Sequence, residues 1–327
     1  VHIAYIGNFE PEHSTENEVR RALTNNEHGV TRFQEGDPVQ LDFLIDYIQH
    51  DHQEPIKVIL WTRTASKAAL SGEARYWKLL AAARKAGVPV VGYHLDRWWG
   101  LARQSEIADD PFFQVDLLCT ADGGHQPEWE AAGVNHVWFP PAISERHCRL
   151  GTPREEYASD IAFVGSWQGG YHPEDVYRPA LINWLKRNYD RRVKFWPEPG
   201  QHAIRGDDLT DLYASVKVVV GTSCLAPKVD GSPMDMYCSD RCPETIGRGG
   251  LLLHPHVEGV TGKLFRHHWW KLDDLNELGS QIELLLAEPE DVRRAYAAAA
   301  QDHVRETATY EVRVRELIAL LNERGML

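Results

Sequence analysis

"DRCPETIGRGGLLLHP", residues 240–255, holds a short helical stretch that stops at Gly249-Gly250 and runs straight into an apolar strand. Ser239 or Asp240 stands where an N-cap belongs, and Pro243 is tolerated in a first turn, where no intrahelical N–H bond is lost. The stretch follows an apolar strand, "VKVVVGTS" (216–223), and a long loop. That order predicts a helix N-terminus at the carboxyl ends of the strands, the side on which α/β sheets bind ligands. Glu244 sits early in this helix, with Arg241 and Arg248 around it. A carboxylate accepts two hydrogen bonds and a ribose 2′,3′-diol offers two donors, while free N–H groups nearby favour an anion such as a diphosphate. The competing role for Glu244 is to cap its own helix and pair with Arg248 at i+4.

The same strand-then-helix order extends outward in both directions. "HIAYIG" (2–7), "VTRFQ" (30–34), "IKVILWT" (56–62), "VPVVGYHLD" (88–96), "VDLLCT" (115–120) and "HVWFPPA" (136–142) read as strands. Segments 15–29, 39–51 and 73–87 between them carry apolar residues at helical spacing. The near-pure apolar runs fit parallel strands covered on both faces. "PPAISERHCRLGTPREEYASD" (140–160) breaks the alternation, and a domain linker is expected there, near 141–157. A second alternation follows: strand 160–167, helix 176–189, strand 192–197, helix 207–215, strand 216–223, the opening stretch, and a helical tail at 290–325 interrupted near Thr307–Thr309. Two doubly wound parallel sheets are expected, with a cleft between domains. The expected domains are 1–145 and 146–302, with a last helix, 303–327, packing back on the first.

The totals agree with this reading. The 327 residues suit two domains of about 150 residues each. Residues are 43% hydrophobic and 25% charged, and no run of eighteen apolar residues exists, so no membrane span is expected. "VHIAYIGNFE" (1–10) reads as a first strand rather than a signal peptide. The net charge of −13 disfavours nucleic acid as a partner without excluding a local basic cleft. Five cysteines without regular spacing fit reduced thiols in a cytoplasm.

Four segments carry a resemblance to a known family: "SDRCPETIGRGGLLLHPHVEGV" (239–260), "SDIAFVGSW" (159–167), "LTDLYASVKVVVGTS" (209–223) and "TYEVRVREL" (309–317). In order and spacing they resemble the GT-B glycosyltransferases, in particular the branch with spore-maturation-type and phage-encoded members. The resemblance implies the GT-B fold, two Rossmann-like domains, and transfer of a sugar, hexosyltransferase-like, from a nucleotide-diphosphate sugar to an acceptor hydroxyl. A UDP-sugar is the expected co-substrate, and no further cofactor or metal is expected, because basic side chains and helix dipoles neutralise the leaving diphosphate. Carried over, Glu244 holds the donor ribose, and the loop at Gly165-Ser166 approaches the diphosphate. Arg241, Lys228 and Arg178 are candidates for the phosphates, and Gly249 marks the family's glycine at the helix end. One departure stands out: where many retaining members carry a second Glu, eight positions before the ribose Glu, this chain has Met236, beside Asp235.

The first half resembles the family in architecture and in fragments. His94 and Asp96 in "YHLDRWW" (93–99) end a strand, where an inverting enzyme needs a general base on the acceptor hydroxyl. Trp98 and Trp99 either stack on a sugar or pack between domains. The loop "GNFEPEHST" (7–15), with Glu10 and His13, either shapes the acceptor site or is merely solvated. Cys238, Cys242, His254 and His256 loosely match a zinc spacing, but a helix intervenes and no metal site is expected. "HHWW" (267–270) reads as surface packing. A sugar-nucleotide epimerase of the same fold and a non-catalytic nucleotide-sugar binding protein are the rival functions. Hydroxylated bases in phage DNA are a rival acceptor.

Overall fold

The computed structural model describes residues 1–327 except 51, 64–72, 167–174, 199, 226 and 229. The chain divides into two compact units, Val1–Pro140 with Tyr310–Leu327, and Pro141–Thr309.

The first unit runs β1 (His2–Gly7), α1 (Thr15–Asn25), β2 (Gly29–Gln34), α2 (Pro38–Tyr47), β3 (Val58–Thr62), α3 (Glu73–Ala86), β4 (Val90–His94), β5 (Leu117–Thr120), α4 (Gln126–Ala131) and β6 (His136–Trp138). All six strands are parallel, in the order β2-β1-β3-β4-β5-β6. β3 and β4 are buried at every residue, as their unbroken apolar sequences require of central strands, while β2 shows solvent along an edge. Ser14 caps α1 through Asn17 N, and Asp37 caps α2, with Pro38 in the first turn. The core holds Trp61 stacked on Tyr76, with ring centroids 4.4 Å apart, and Phe112 edge-on to Trp61. The expected helix over 39–51 is shorter, since α2 ends at Tyr47 and residue 51 lies outside the described residues.

The second unit runs β7 (Ser159–Val164), α5 (Tyr177–Tyr189), β8 (Val193–Trp196), α6 (Gly206–Ser215), β9 (Val216–Val220), α7 (Arg241–Gly247), β10 (Leu252–Pro255), β11 (His268–Trp270), α8 (Leu275–Ala287) and α9 (Glu290–Thr307). Its five strands are also parallel, ordered β11-β10-β9-β7-β8. Residues 141–157, expected as a linker, begin at the boundary between the units and carry short 3-10 turns at 145–147 and 155–157. "HHWW", expected as surface packing, supplies the edge strand β11 with its last three residues, Trp270 fully buried and Trp269 outward.

The tail breaks at Ala308–Thr309, where Ile143 N donates to Ala308 O and Thr309 bridges Ile143. A last helix, α10 (Tyr310–Glu323), then packs on α1 within the first unit. There Asn25 Nδ2 donates to Glu311, 3.2 Å, and Arg313 Nε to Pro140 O, 3.0 Å.

Candidate active site

In the second unit the strand order reverses at β7, which has β8 on one side and β9 on the other. Open α/β sheets bind ligands outside the carboxyl ends of the strands at such a switch point, because the connecting loops leave there in opposite directions. The residues that follow β7 and β9 are Gly165-Ser166 and Gly221-Thr222-Ser223.

Gly165 has a φ of +147°, and a Cβ there would stand 2.6 Å from Arg241 Nη2 and 2.8 Å from its Cζ. Glycine is therefore required twice, for the backbone conformation and for the close approach of the guanidinium. Arg241 opens α7 and reaches across to the end of β9, donating from Nη1 to Thr222 O at 2.8 Å. Arg178, in the first turn of α5, donates from Nη1 to Ser166 Oγ at 3.1 Å and lies 3.4 Å from Asp175. It is buried, and its Nε has no partner among the described residues. Burial and then the Arg241 charge push Arg178 down from its ordinary range, while burial pushes the Asp175 carboxyl up against the pull of both arginines. Two guanidinium groups thus share one small region beside a glycine loop, and Asp175 is paired with one of them, Arg178. Such an arrangement favours an anion.

α7 has only seven residues, so packing rather than propensity holds it. Gln301 Nε2 of α9 donates to Gly247 O at 2.7 Å. Gly247 lies so close to Ile143 that a Cβ would fall 2.8 Å from its Cδ1. The expected cap is not made: Asp240 holds the N-cap position without a side-chain cap bond. Glu244, one turn in, accepts from Arg248 Nε at 2.8 Å through Oε2. Arg248 is buried and also donates to Gly206 O and Thr210 Oγ1. The Glu244 side chain is 25% exposed, and its Oε1 has no partner among the described residues. Packing around the carboxyl pushes its pKa up, against the opposing pull of Arg248.

The structure thus gathers Gly165, Ser166, Arg241 and Arg178, with Glu244 one helical turn from Arg241. Two other sequence candidates do different work. Lys228 is held by Asp235, 2.6 Å away. Gly249, at φ +77°, ends α7 at the far pole from Arg241, and a Cβ there would lie 2.5 Å from Leu150 Cδ2. It is a helix stop and a packing contact. Met236, in the place of the family's second Glu, has a φ of +45° and lies against Gly259. The Cys242 thiol contacts Cys238 and His254, but no three donor atoms of Cys238, Cys242, His254 and His256 lie within 4.8 Å of one another. His254 also meets Ser223 Oγ at 3.1 Å, in a buried link that ties Ser239 N to Ser223 Oγ.

In the first unit, His94 ends β4, buried, and Asp96 follows with its side chain 29% exposed. Asp96 N and Trp98 Nε1 both direct donors at His94 Nδ1, 3.0 and 3.2 Å away. Those two donors place the ring proton on Nε2, so Nδ1 has no lone pair to spare for a substrate hydroxyl. Asp96 Oδ2 lies 3.9 Å from Arg103 Nη1. Of the two sequence candidates for a base, the carboxylate is the better placed. Trp98 is not a sugar platform: it is buried edge-on to Phe113, under Arg103. Trp99 packs on Trp129. The loop after β1 is ordered by its own bonds, Phe9 N to Gln34 Oε1 and Asn17 Nδ2 to Phe9 O and Pro11 O, while Glu10 and His13 stay exposed. Sequence reasoning missed Asp122–His125, a fully buried pair at 2.7 Å just after β5. The position of "TAD" at a strand end was its one signal.

Comparison with known proteins adds to this geometry. Residues 178–319 match a family model described as glycosyl transferase-like. No curated protein matches the chain. Among solved structures, an α,α-trehalose-phosphate synthase (UDP-forming) from Burkholderia vietnamiensis is similar at TM-score 0.58 and 10% identity, over 99% of this chain and 100% of that one. AviGT4, a glycosyltransferase involved in avilamycin A biosynthesis, is similar at TM-score 0.50 and 12% identity, over 98% of each chain. The N-terminal domain of Candida albicans trehalose-6-phosphate phosphatase is similar at TM-score 0.57 and 9% identity, over 98% of this chain and 96% of that one. At such identities these likenesses establish the fold, which is GT-B. Together the family match and the fold support a glycosyltransferase. Among the described residues no helix is long and apolar enough to cross a membrane.

Proposed function

We propose that the chain transfers a glycosyl group from a nucleoside-diphosphate sugar, a UDP-sugar in the first instance, to an acceptor hydroxyl. The observation that carries this reading is the convergence of Arg178 and Arg241 on the Gly165–Ser166 loop at the switch point of the second sheet. In this reading the two guanidinium groups take the donor diphosphate. They hold charge that grows on the leaving phosphate as the sugar–oxygen bond breaks, which lowers the barrier more than it tightens ground-state binding. Ser166 Oγ, already oriented by Arg178, adds a polar contact. Glu244 accepts from the ribose diol through Oε1, and Arg248 fixes the carboxylate by holding Oε2. Asp96 takes the acceptor proton in an inverting reaction. Because two fixed cations do the neutralising, no divalent ion is assigned.

The test is a binding series with the intact chain. UDP should raise the melting temperature and uridine should raise it less, since only UDP engages the arginines. UDP-glucose and UDP-galactose should then release UDP when an acceptor is supplied. If UDP, the deoxythymidine and guanosine diphosphates, and their sugars all leave the melting temperature unchanged, the donor reading fails. Interconversion of the two UDP-hexoses without UDP release would favour the epimerase.

A further inference from the structure

The second unit has a pocket of about 280 Å³ that the donor reading does not use. It lies around the edge strand β11 and the middle of α9, lined by Thr261, Arg266, His267, Trp269 and Tyr296, with Ala299 and Ala300 as floor. β11 alternates, so Trp270 points inward and donates from Nε1 to Tyr177, while Trp269 faces solvent at 45% exposure. Tyr296, on α9, is 39% exposed. Two large aromatic rings therefore stand open on the wall of one pocket. Neither is needed for the core, which Trp270 fills. His256 tilts against Trp269 and His268 against Tyr296, with ring centroids 4.9 and 4.2 Å apart, and these contacts support both rings.

The polar side is equally specific. Thr261 Oγ1 accepts from Val257 N, so its own proton is free to point at His267 Nε2, 3.4 Å away. His267 Nδ1 takes no part in that contact. This atom is buried and has no partner among the described residues. An unmet buried polar atom costs about 1–3 kcal/mol, so the ring beside the pocket keeps unused hydrogen-bonding capacity. Burial and the neighbouring histidines drive His267 down to about 3, so it stays neutral and suits hydroxyl groups rather than anions. Arg266 adds exposed donors at the rim.

We infer that this pocket binds a disaccharide of pyranose rings. The faces of Trp269 and Tyr296 cover the C–H faces of the sugar, and His267, Thr261 and Arg266 meet its hydroxyls. Aromatic rings pair an apolar face with polar surroundings in the way a sugar ring demands. The volume lies just below the usual range for small-molecule pockets, which limits the occupant to a short saccharide. The inference does not rest on the donor reading, because none of these residues belongs to the arginine site.

The test replaces the tryptophans with 5-fluorotryptophan and follows the Trp269 fluorine resonance, assigned by its absence in Trp269→Ala. Maltose, cellobiose and lactose are titrated separately at millimolar concentrations, with uridine and adenosine as aromatic controls. At least one disaccharide should shift the resonance saturably, and neither nucleoside should. Trp269→Tyr should keep the binding, read by saturation transfer from the sugar. Trp269→Ala should weaken it at least about tenfold. Tyr296→Ala serves as a second variant should Trp269→Ala fail to fold. If no disaccharide moves the resonance, or if a nucleoside moves it instead, the inference is overturned. UDP binding is measured on the same samples, and its presence or absence speaks only to the arginine site.

Discussion

Replacing Arg241 by alanine tests the donor site where its geometry is most specific. Among the described residues the guanidinium donates one hydrogen bond, to Thr222 O, and it lies against the bare Gly165 backbone. Losing that bond costs the fold about 1 kcal/mol, since water can reach a half-buried position. Losing a charge-assisted contact to a phosphate costs about 1.5–3 kcal/mol, or roughly ten- to 150-fold in affinity. The lower half of that range is expected, because removing Arg241 also relieves the like charge that presses on Arg178. Calorimetry with UDP and with uridine separates the contributions: UDP affinity should fall and uridine affinity should hold. A second perturbation reaches the same atoms without deleting the charge. Gly165→Ala would place a Cβ 2.6 Å from Arg241 Nη2 on a backbone at φ +147°, displacing the guanidinium and straining the loop. It should show the same selective loss of UDP. If uridine and UDP weaken together in both variants, the loss is one of folding. If neither weakens, the arginine pair does not hold the diphosphate.

Glu244→Gln should abolish the preference for UDP over 2′-deoxy-UDP. It should also destabilise the fold by about 1–3 kcal/mol in urea, because buried Arg248 loses an ionised partner. Equal deoxy discrimination in both proteins would return Glu244 to helix pairing alone. Asp96→Asn should slow transfer by about 10²–10⁴-fold with donor affinity unchanged, and His94→Gln should slow it far less, since its Nδ1 is already occupied. A larger loss from His94→Gln would reverse that ranking. Transfer should survive EDTA, and loss restored by a divalent ion would refute the metal-free assignment. Burial holds His136 down to about 4 from its ordinary 6.5. The unfolded chain therefore binds the extra proton first, and stability is full above pH 6.5 and lost as pH falls toward 4, by up to about 3 kcal/mol. His136→Gln should flatten urea midpoints across that window.

The fold was legible because parallel strands buried on both faces leave unbroken apolar runs. "VILWT" and "VVGYH" carry that signal without ambiguity, and both are fully buried. β11 was not legible, since "HWW" is three residues long and only one of them faces inward. In the 141–157 stretch prolines and mixed charge mark irregular backbone, which fits the boundary between the units, but they do not show that irregular backbone can be bound tightly. Thr152 N and Arg154 N donate to Asp211 and Ser215 of α6, 59 and 61 residues away, contacts that no local pattern announces.

The site divides along the same line. Gly165 and Arg241 could each be named from local rules, a glycine after a strand and a cation before a helix, but their contact spans 76 positions and only the sheet order creates it. Arg178 was left unranked beside Lys228, because charge alone does not distinguish them. Topology does: α5 follows β7 and β8 flanks it, so the first turn of α5 returns to Ser166, whereas Lys228 meets Asp235 on its own loop. For Glu244 the sequence posed an alternative that the side chain does not face. A carboxylate has two oxygens. Pairing Oε2 with buried Arg248 fixes the rotamer, and that fixation is what presents Oε1 in a constant position one turn from Arg241. In the proposed donor site, helix pairing and ligand binding would then be successive requirements on one residue, the ribose contact depending on the ion pair. Arg248→Met should therefore weaken nucleoside binding although Arg248 touches no ligand, and it should do so without altering the UDP-over-uridine ratio set by the arginines.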